Sequence, residues 1–148
     1  MSDRARIAMS DAEVAQFLAG HDKAHLATSL PDGAVHLVTM FYTVLDGRIA
    51  FWTYRASQKA RNLTRDPRIT CLVEDGTAYF ELRGVQVRGV VRRYDALADV
   101  TRVGRLIAAG LPEMTPDVLD AYVAQAAPKR CAYVVEPARI VSWDHAKL

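Results

Sequence analysis

The sequence predicts an antiparallel β-barrel with helices around it. Three observations carry this expectation. Runs rich in β-branched and aromatic residues are separated by Asp46-Gly47 and Asp75-Gly76, which is hairpin chemistry. The long run Tyr79 to Tyr94 is interrupted by Gly84 and Gly89, which marks a bulge, a sharp bend or the close approach of a ligand. Strands so long and so bent favour closure over a flat sheet. Third, the order of elements is helix, strands, helix, strands, two helices, strands, and this does not alternate as a doubly wound parallel fold does.

Each element has its own local reason. Ser10-Asp11-Ala12-Glu13 has capping-box spacing, Val14, Phe17 and Leu18 then share one helical face, and Gly20 is the stop. His25 to Ser29 is a short strand, followed by turn residues Leu30-Pro31-Asp32-Gly33. Val35 to Val44 is a strand by composition, and Ile49 to Thr53 returns antiparallel across Asp46-Gly47. The first third is therefore expected to be a three-stranded meander. Ser57 caps a helix that ends at Asp66, because the residue before Pro67 resists the α region. Ile69 to Glu74 is a strand, Asp75-Gly76 a tight turn, and Tyr79 to Tyr94 the long strand. Asp95 is placed to cap a helix over 96–109 whose apolar side holds Val100, Val103, Leu106 and Ile107. Thr115-Pro116 opens another helix, with Val118, Leu119, Tyr122 and Val123 as its apolar face. Cys131 to Val135 and Arg139 to Trp143 read as two strands split by Pro137.

The totals bound the function. A chain of 148 residues, 51% hydrophobic and 24% charged, has the balance of one globular domain spanning 1–148. A net charge of +2 is too small to argue for nucleic acid. The N-terminal stretch Met1 to Met9 has charges and no apolar core, and no run approaches spanning length, so neither a signal peptide nor a membrane segment is expected. Cys71 and Cys131 are far apart with no CxxC, so they read as buried reduced thiols and the expected location is cytoplasmic. The phosphate loops, nucleophile elbows and zinc-protease signatures are absent, and no two histidines have metal-ligand spacing, so no metal site is expected.

The stretch from Phe51 to Arg68 carries the chemistry. An apolar strand ends at Thr53, a turn leads to Ser57, and Lys59, Arg61, Arg65 and Arg68 follow. A helix N-terminus offers free N–H groups and positive dipole charge, which suits a phosphate. Thr53 and Ser57 add hydroxyls and Lys59 a point charge. For such a stretch alone, a solvated basic helix face is the competing reading. His36 is held apart from the other histidines because it begins the second strand at a pocket rim. No carboxylate pair has more than capping or turn roles, so the catalytic residues are left unassigned.

The run Phe51-Trp52-Thr53, Ser57-Gln58-Lys59, Asn62-Leu63 and Asp66-Pro67-Arg68, continued by Leu82-Arg83-Gly84 to Val91, resembles the flavin-binding split β-barrels related to pyridoxamine 5′-phosphate oxidase. The run from Lys59 to Arg68 and the ending Ile140-Val141-Ser142-Trp143-Asp144-His145 are similar to a small actinobacterial branch of deazaflavin-dependent enzymes, which use coenzyme F420. The resemblance implies a split barrel and a homodimer with cofactor sites at its interface. It implies that Thr53, Ser57 and Lys59 hold the cofactor phosphate, with Arg61 beside it or beside the acidic F420 tail. It implies that His36, Val38 and Thr39 line the ring and that Trp143 closes the site from the partner subunit. The C-terminus lacks the Arg-x-His-type substrate grip of true pyridoxamine-phosphate oxidases. The function implied is hydride transfer between F420 and a small organic substrate. FMN in the same fold, and a non-catalytic flavin- or haem-binding protein, are the alternatives.

Overall fold

The structure is a computed structural model, and it describes residues 2–148. A short turn of helix, α1 (Asp3–Arg6), precedes α2 (Asp11–Ala19). The Ser10 side chain accepts from the Glu13 N–H and Glu13 accepts from the Ser10 N–H, so the capping box forms as written in the sequence. Then come β1 (Lys23–Ser29), β2 (Val35–Phe41), β3 (Thr43–Leu45), β4 (Arg48–Tyr54), α3 (Gln58–Arg65), β5 (Arg68–Asp75), β6 (Arg83–Tyr94), α4 (Leu97–Ala109), α5 (Pro116–Ala126) and β7 (Arg130–Asp144). The strands form one seven-stranded sheet in the order β2-β1-β5-β6-β7-β4-β3, antiparallel throughout. It curls into a split barrel.

Both pairings of the expected meander form, but its middle strand is split at Tyr42 into β2 and β3. β2 pairs with β1, and β3 pairs with β4 across the Asp46-Gly47 turn, whose two residues both have positive φ. These two hairpins sit at opposite edges of the sheet. The chain breaks at Tyr42, whose N–H donates to the Asp22 carbonyl (2.9 Å) and whose buried hydroxyl donates to the Leu18 carbonyl (2.5 Å). The first bond continues the β1–β2 register by one rung, and the second anchors the side chain to α2. The corner at Tyr42 therefore carries the chain from one edge of the curled sheet to the other.

Four further expectations are corrected. The β5–β6 connection runs over 76–82 with a single 3₁₀ turn (Tyr79–Glu81), so it is not a tight hairpin and the long strand starts at Arg83. β7 is one strand, with Pro137 opposite Gly89 at a register shift, where the missing N–H leaves no gap in the ladder. Asp95 does not cap α4; its carboxylate is taken by Arg93 and Arg55. Leu106 and Val118 point to solvent, because α4 turns Val100, Val103 and Ile107 to the sheet and α5 turns Val123.

Two apolar clusters result. The first fills the curl, with Phe17 and Leu18 of α2 against Leu26, Phe51, Val73, Val85 and Val135. The second lies on the outer face of β4 and β7, where Trp52 and Val134 meet α4 and α5. Both cysteines are buried and free, and burial pushes the Cys71 thiol up to about 12. Among the described residues, no helix is long and apolar enough to cross a membrane.

Candidate functional site

β4 alternates between the two clusters. Ile49 and Phe51 face inward and Thr53 follows them in register; Ala50, Trp52 and Tyr54 face outward. The strand ends and the chain turns into α3 through Ser57, whose N–H donates to the Tyr54 carbonyl (3.0 Å). The Ser57 hydroxyl accepts from the Ala60 N–H (3.1 Å) and from the Thr53 hydroxyl (3.2 Å). The first-turn N–H groups of Gln58 and Lys59 have no intrahelical acceptor.

Lys59 is 7% exposed. Burial pushes its ammonium below the usual 10.5, and no counter-charge offsets the shift. None of the ion pairs among the described residues includes it. A lysine this buried, outside every ion pair and in the first turn of a helix, is placed to receive an anion.

A polar line runs from α3 to β2. Gln58 Nε2 donates to Asn62 Oδ1 (2.8 Å), and Asn62 Nδ2 donates to the Thr28 hydroxyl (3.1 Å). Asn62 and Thr28 are both buried. Thr28 stands opposite His36 in the β1–β2 register, and His36 Nδ1 is buried without a hydrogen-bond partner. The structure thus brings His36, Thr53, Ser57 and Lys59 to the β2–β1–α3–β4 end of the fold. Sequence reasoning missed Asn62 and Thr28. The signal was there for Asn62, since asparagine is a poor helix-interior residue and sits three positions after Lys59.

The remaining expected residues divide. Val38 shares the inner face of β2 with His36, whereas Thr39 points outward and bonds to His25 Nδ1 (2.9 Å). Alternation therefore puts these three on two faces of β2. Arg61 is exposed and donates to Gln58 Oε1 (2.8 Å). Arg65 donates to the Ser29 carbonyl. Arg68 is paired with Asp66 (2.8 Å), and that guanidinium holds the Asp66 carboxyl down at about 2. So Arg61 has no carboxylate beside it, Arg65 lies in the field of Asp66, and Arg68 is paired with that carboxylate. Trp143 lies far from this group within one chain. β7 begins beside Tyr54 and ends beside Arg83, and Trp143 is near that far end, over Gly84. A β-carbon at Gly84 would stand 2.2 Å from the Trp143 ring, so glycine there makes room for the indole.

Comparisons with known proteins add the relationship. Residues 10–144 match the family described as pyridoxamine 5′-phosphate oxidase. The crystal structure of the conserved hypothetical protein Rv2991 from Mycobacterium tuberculosis is 40% identical, covers 99% of this chain and 92% of that one, and superposes with a TM-score of 0.91. A FAD binding protein from Mycobacterium smegmatis is 19% identical over 91% of this chain and 94% of that one, with a TM-score of 0.67. A structure named F420 reductase is 23% identical over 84% and 93%, with a TM-score of 0.62. At such identities the last two show the fold alone. No curated protein matches the chain significantly.

Proposed function

The chain belongs to the pyridoxamine 5′-phosphate oxidase family, and from that premise we propose that it is an oxidoreductase that moves hydride between coenzyme F420 and a small organic substrate. The fold and its relatives support an oxidoreductase or flavin-binding role. The observation that carries the cofactor reading is Lys59, a largely buried lysine with no counter-ion in the first turn of α3. The donors there fit a phosphate: the Lys59 charge, the free N–H groups of the first turn, and the Ser57 hydroxyl, which accepts from Thr53 and keeps its own proton to donate. His36 Nδ1 is a further buried group with an unmet hydrogen bond, facing the same end of the fold. When bound, the cofactor supplies the two-electron redox chemistry. The residues of this chain bind and orient: Lys59 and Ser57, the latter held by Thr53, take the phosphate, and His36 and Val38 the ring from the inner face of β2, whereas Thr39 faces away from it. Trp143 of a second copy covers the site in a homodimer.

F420 is preferred to FMN on charge. FMN ends at its phosphate, whereas F420 continues into an acidic tail. Arg61 and Arg65, neither of them in an ion pair and one helical turn apart, extend the positive charge beyond Lys59. Isothermal titration of both cofactors at two salt concentrations tests this. F420 should bind more tightly than FMN and lose affinity as salt rises, since exposed charges are screened over roughly 10 Å at 0.1 M. Arg61→Ala should weaken F420 more than FMN. Tighter FMN binding with no selective loss in Arg61→Ala would transfer the assignment to the flavin.

A further inference from the structure

On the other side of β4 lies a second recess. Phe41, Trp52, Ile107, Leu111 and Tyr122 wall a cleft of about 250 Å³, and Arg130 is the charged residue that lines it. Its position follows from the sheet. Arg130 stands opposite Tyr54 where β7 begins, so its side chain shares the outward face of β4 with Trp52 and Tyr54. The guanidinium stacks on both rings, 4.2 Å from the Tyr54 centroid and 4.7 Å from that of Trp52. Trp52 in turn meets the Tyr122 ring edge-on at 6.4 Å.

Arg130 is held in place but not satisfied. Its Nε is buried without an acceptor. None of the ion pairs among the described residues includes it. A guanidinium keeps its charge at any ordinary pH, so the natural acceptor for its free N–H groups is an anion. The fork of donors matches a carboxylate. The remaining walls are apolar or aromatic, and the volume lies below the roughly 300–1,000 Å³ of pockets for drug-sized ligands. The occupant is therefore small, with a flat or apolar body and one carboxylate.

We infer that this cleft is an organic-anion subsite in which Arg130 receives the carboxylate of a small organic acid and Trp52 and Tyr122 pack its body. The site is distinct from the phosphate grip, because Thr53 and Trp52 point to opposite faces of β4. Thr39, on the strand assigned to the ring, also lines the cleft. The binding of an anion here does not rest on the cofactor reading above.

Benzoate and its neutral isostere benzamide are the probes, titrated calorimetrically into the cofactor-free protein. Benzoate should bind saturably, and benzamide about tenfold more weakly or worse, as the loss of a charge-assisted hydrogen bond dictates. Arg130→Gln should remove that preference while cofactor affinity stays within about twofold, a change too small for a lost contact. Equal binding of the two probes, or no saturable benzoate binding, overturns the inference on the unaltered protein, whether or not the variant folds. A parallel loss of cofactor affinity in Arg130→Gln would place Arg130 in the cofactor grip and also overturn it. If Lys59→Ala left cofactor affinity intact while benzoate still bound, the anion subsite would stand and the cofactor reading would fall.

Discussion

Lys59 sets two demands against each other at the residue scale. In the free protein its ammonium is desolvated and unpaired, which costs stability; with a phosphate beside it the same burial strengthens the attraction. Lys59→Ala should therefore weaken cofactor binding by about 1.5–3 kcal/mol, the worth of a charge-assisted hydrogen bond. Lys59→Met should do the same while raising the stability of the cofactor-free protein by about 1 kcal/mol or more. The pH dependence has a definite sign. The folded-state pKa of Lys59 lies below its ordinary 10.5, so between those two values the unfolded chain holds the extra proton and stability rises with pH. Denaturation of wild type and Lys59→Met across the alkaline range should show the advantage of the methionine variant shrinking as pH approaches 10.5. A constant difference, or a wild type that is the more stable at neutral pH, would mean that Lys59 is paired. An exposed lysine would give neither effect, and exposure is what a lysine in a basic helix suggests until the fold is known.

Elements carry the second scale. The β6–β7 ladder is the longest in the sheet, running from Arg83 beside Asp144 to Tyr94 beside Ala132, and it bends where Gly89 meets Pro137. The bend lets one pair of strands serve both the far end, where Trp143 lies over Gly84, and the near end, where Arg130 meets Tyr54. A β-carbon at Gly89 would stand 2.0 Å from the Glu136 carbonyl oxygen, and backbone on the facing strand cannot yield as a side-chain tip can. Gly89→Ala should cost about 1–3 kcal/mol, the usual penalty for forced overpacking. Urea denaturation should show a lower midpoint with an unchanged m-value. A midpoint equal to wild type would mean that the bulge is free to move.

At the scale of the whole molecule, the outer face of the sheet is unfinished in a single chain. Val35 and Leu37 on β2 are 67% and 65% exposed, Val90 on β6 is 41% exposed, and a recess of about 560 Å³ between them is edged by Arg68, Arg88 and Arg139. Trp143 lies only half-buried on the same face. An apolar face of this extent calls for a cover, and a second copy of the chain is the proposed one. Sedimentation at micromolar concentration should give a dimer. Leu37→Asp, a surface change that leaves both cores alone, should shift the species toward monomer and weaken the cofactor with it. A wild-type monomer, with or without cofactor, would remove both the dimer and the covering role of Trp143.

What the sequence determined by itself is the chemistry that closes within a few residues. The Ser10 capping box, the Asp46-Gly47 turn, the Ser57 cap and the end of α3 at Asp66 were all legible, because their partners lie within one turn or one hairpin. Thr53, Ser57 and Lys59 stood out for the same reason. The tertiary structure decided which strands lie side by side in the sheet, and it split the middle strand of the meander at Tyr42, whose hydroxyl is anchored to Leu18. It decided that Asp95 serves Arg93 and Arg55 in place of capping α4, and that Arg68 is neutralised by Asp66. It also decided that Lys59 is buried and that Arg130, silent in the sequence, lies stacked on Trp52 and Tyr54. Burial and pairing depend on surfaces brought together from distant parts of the chain, and no local pattern encodes which surface will arrive.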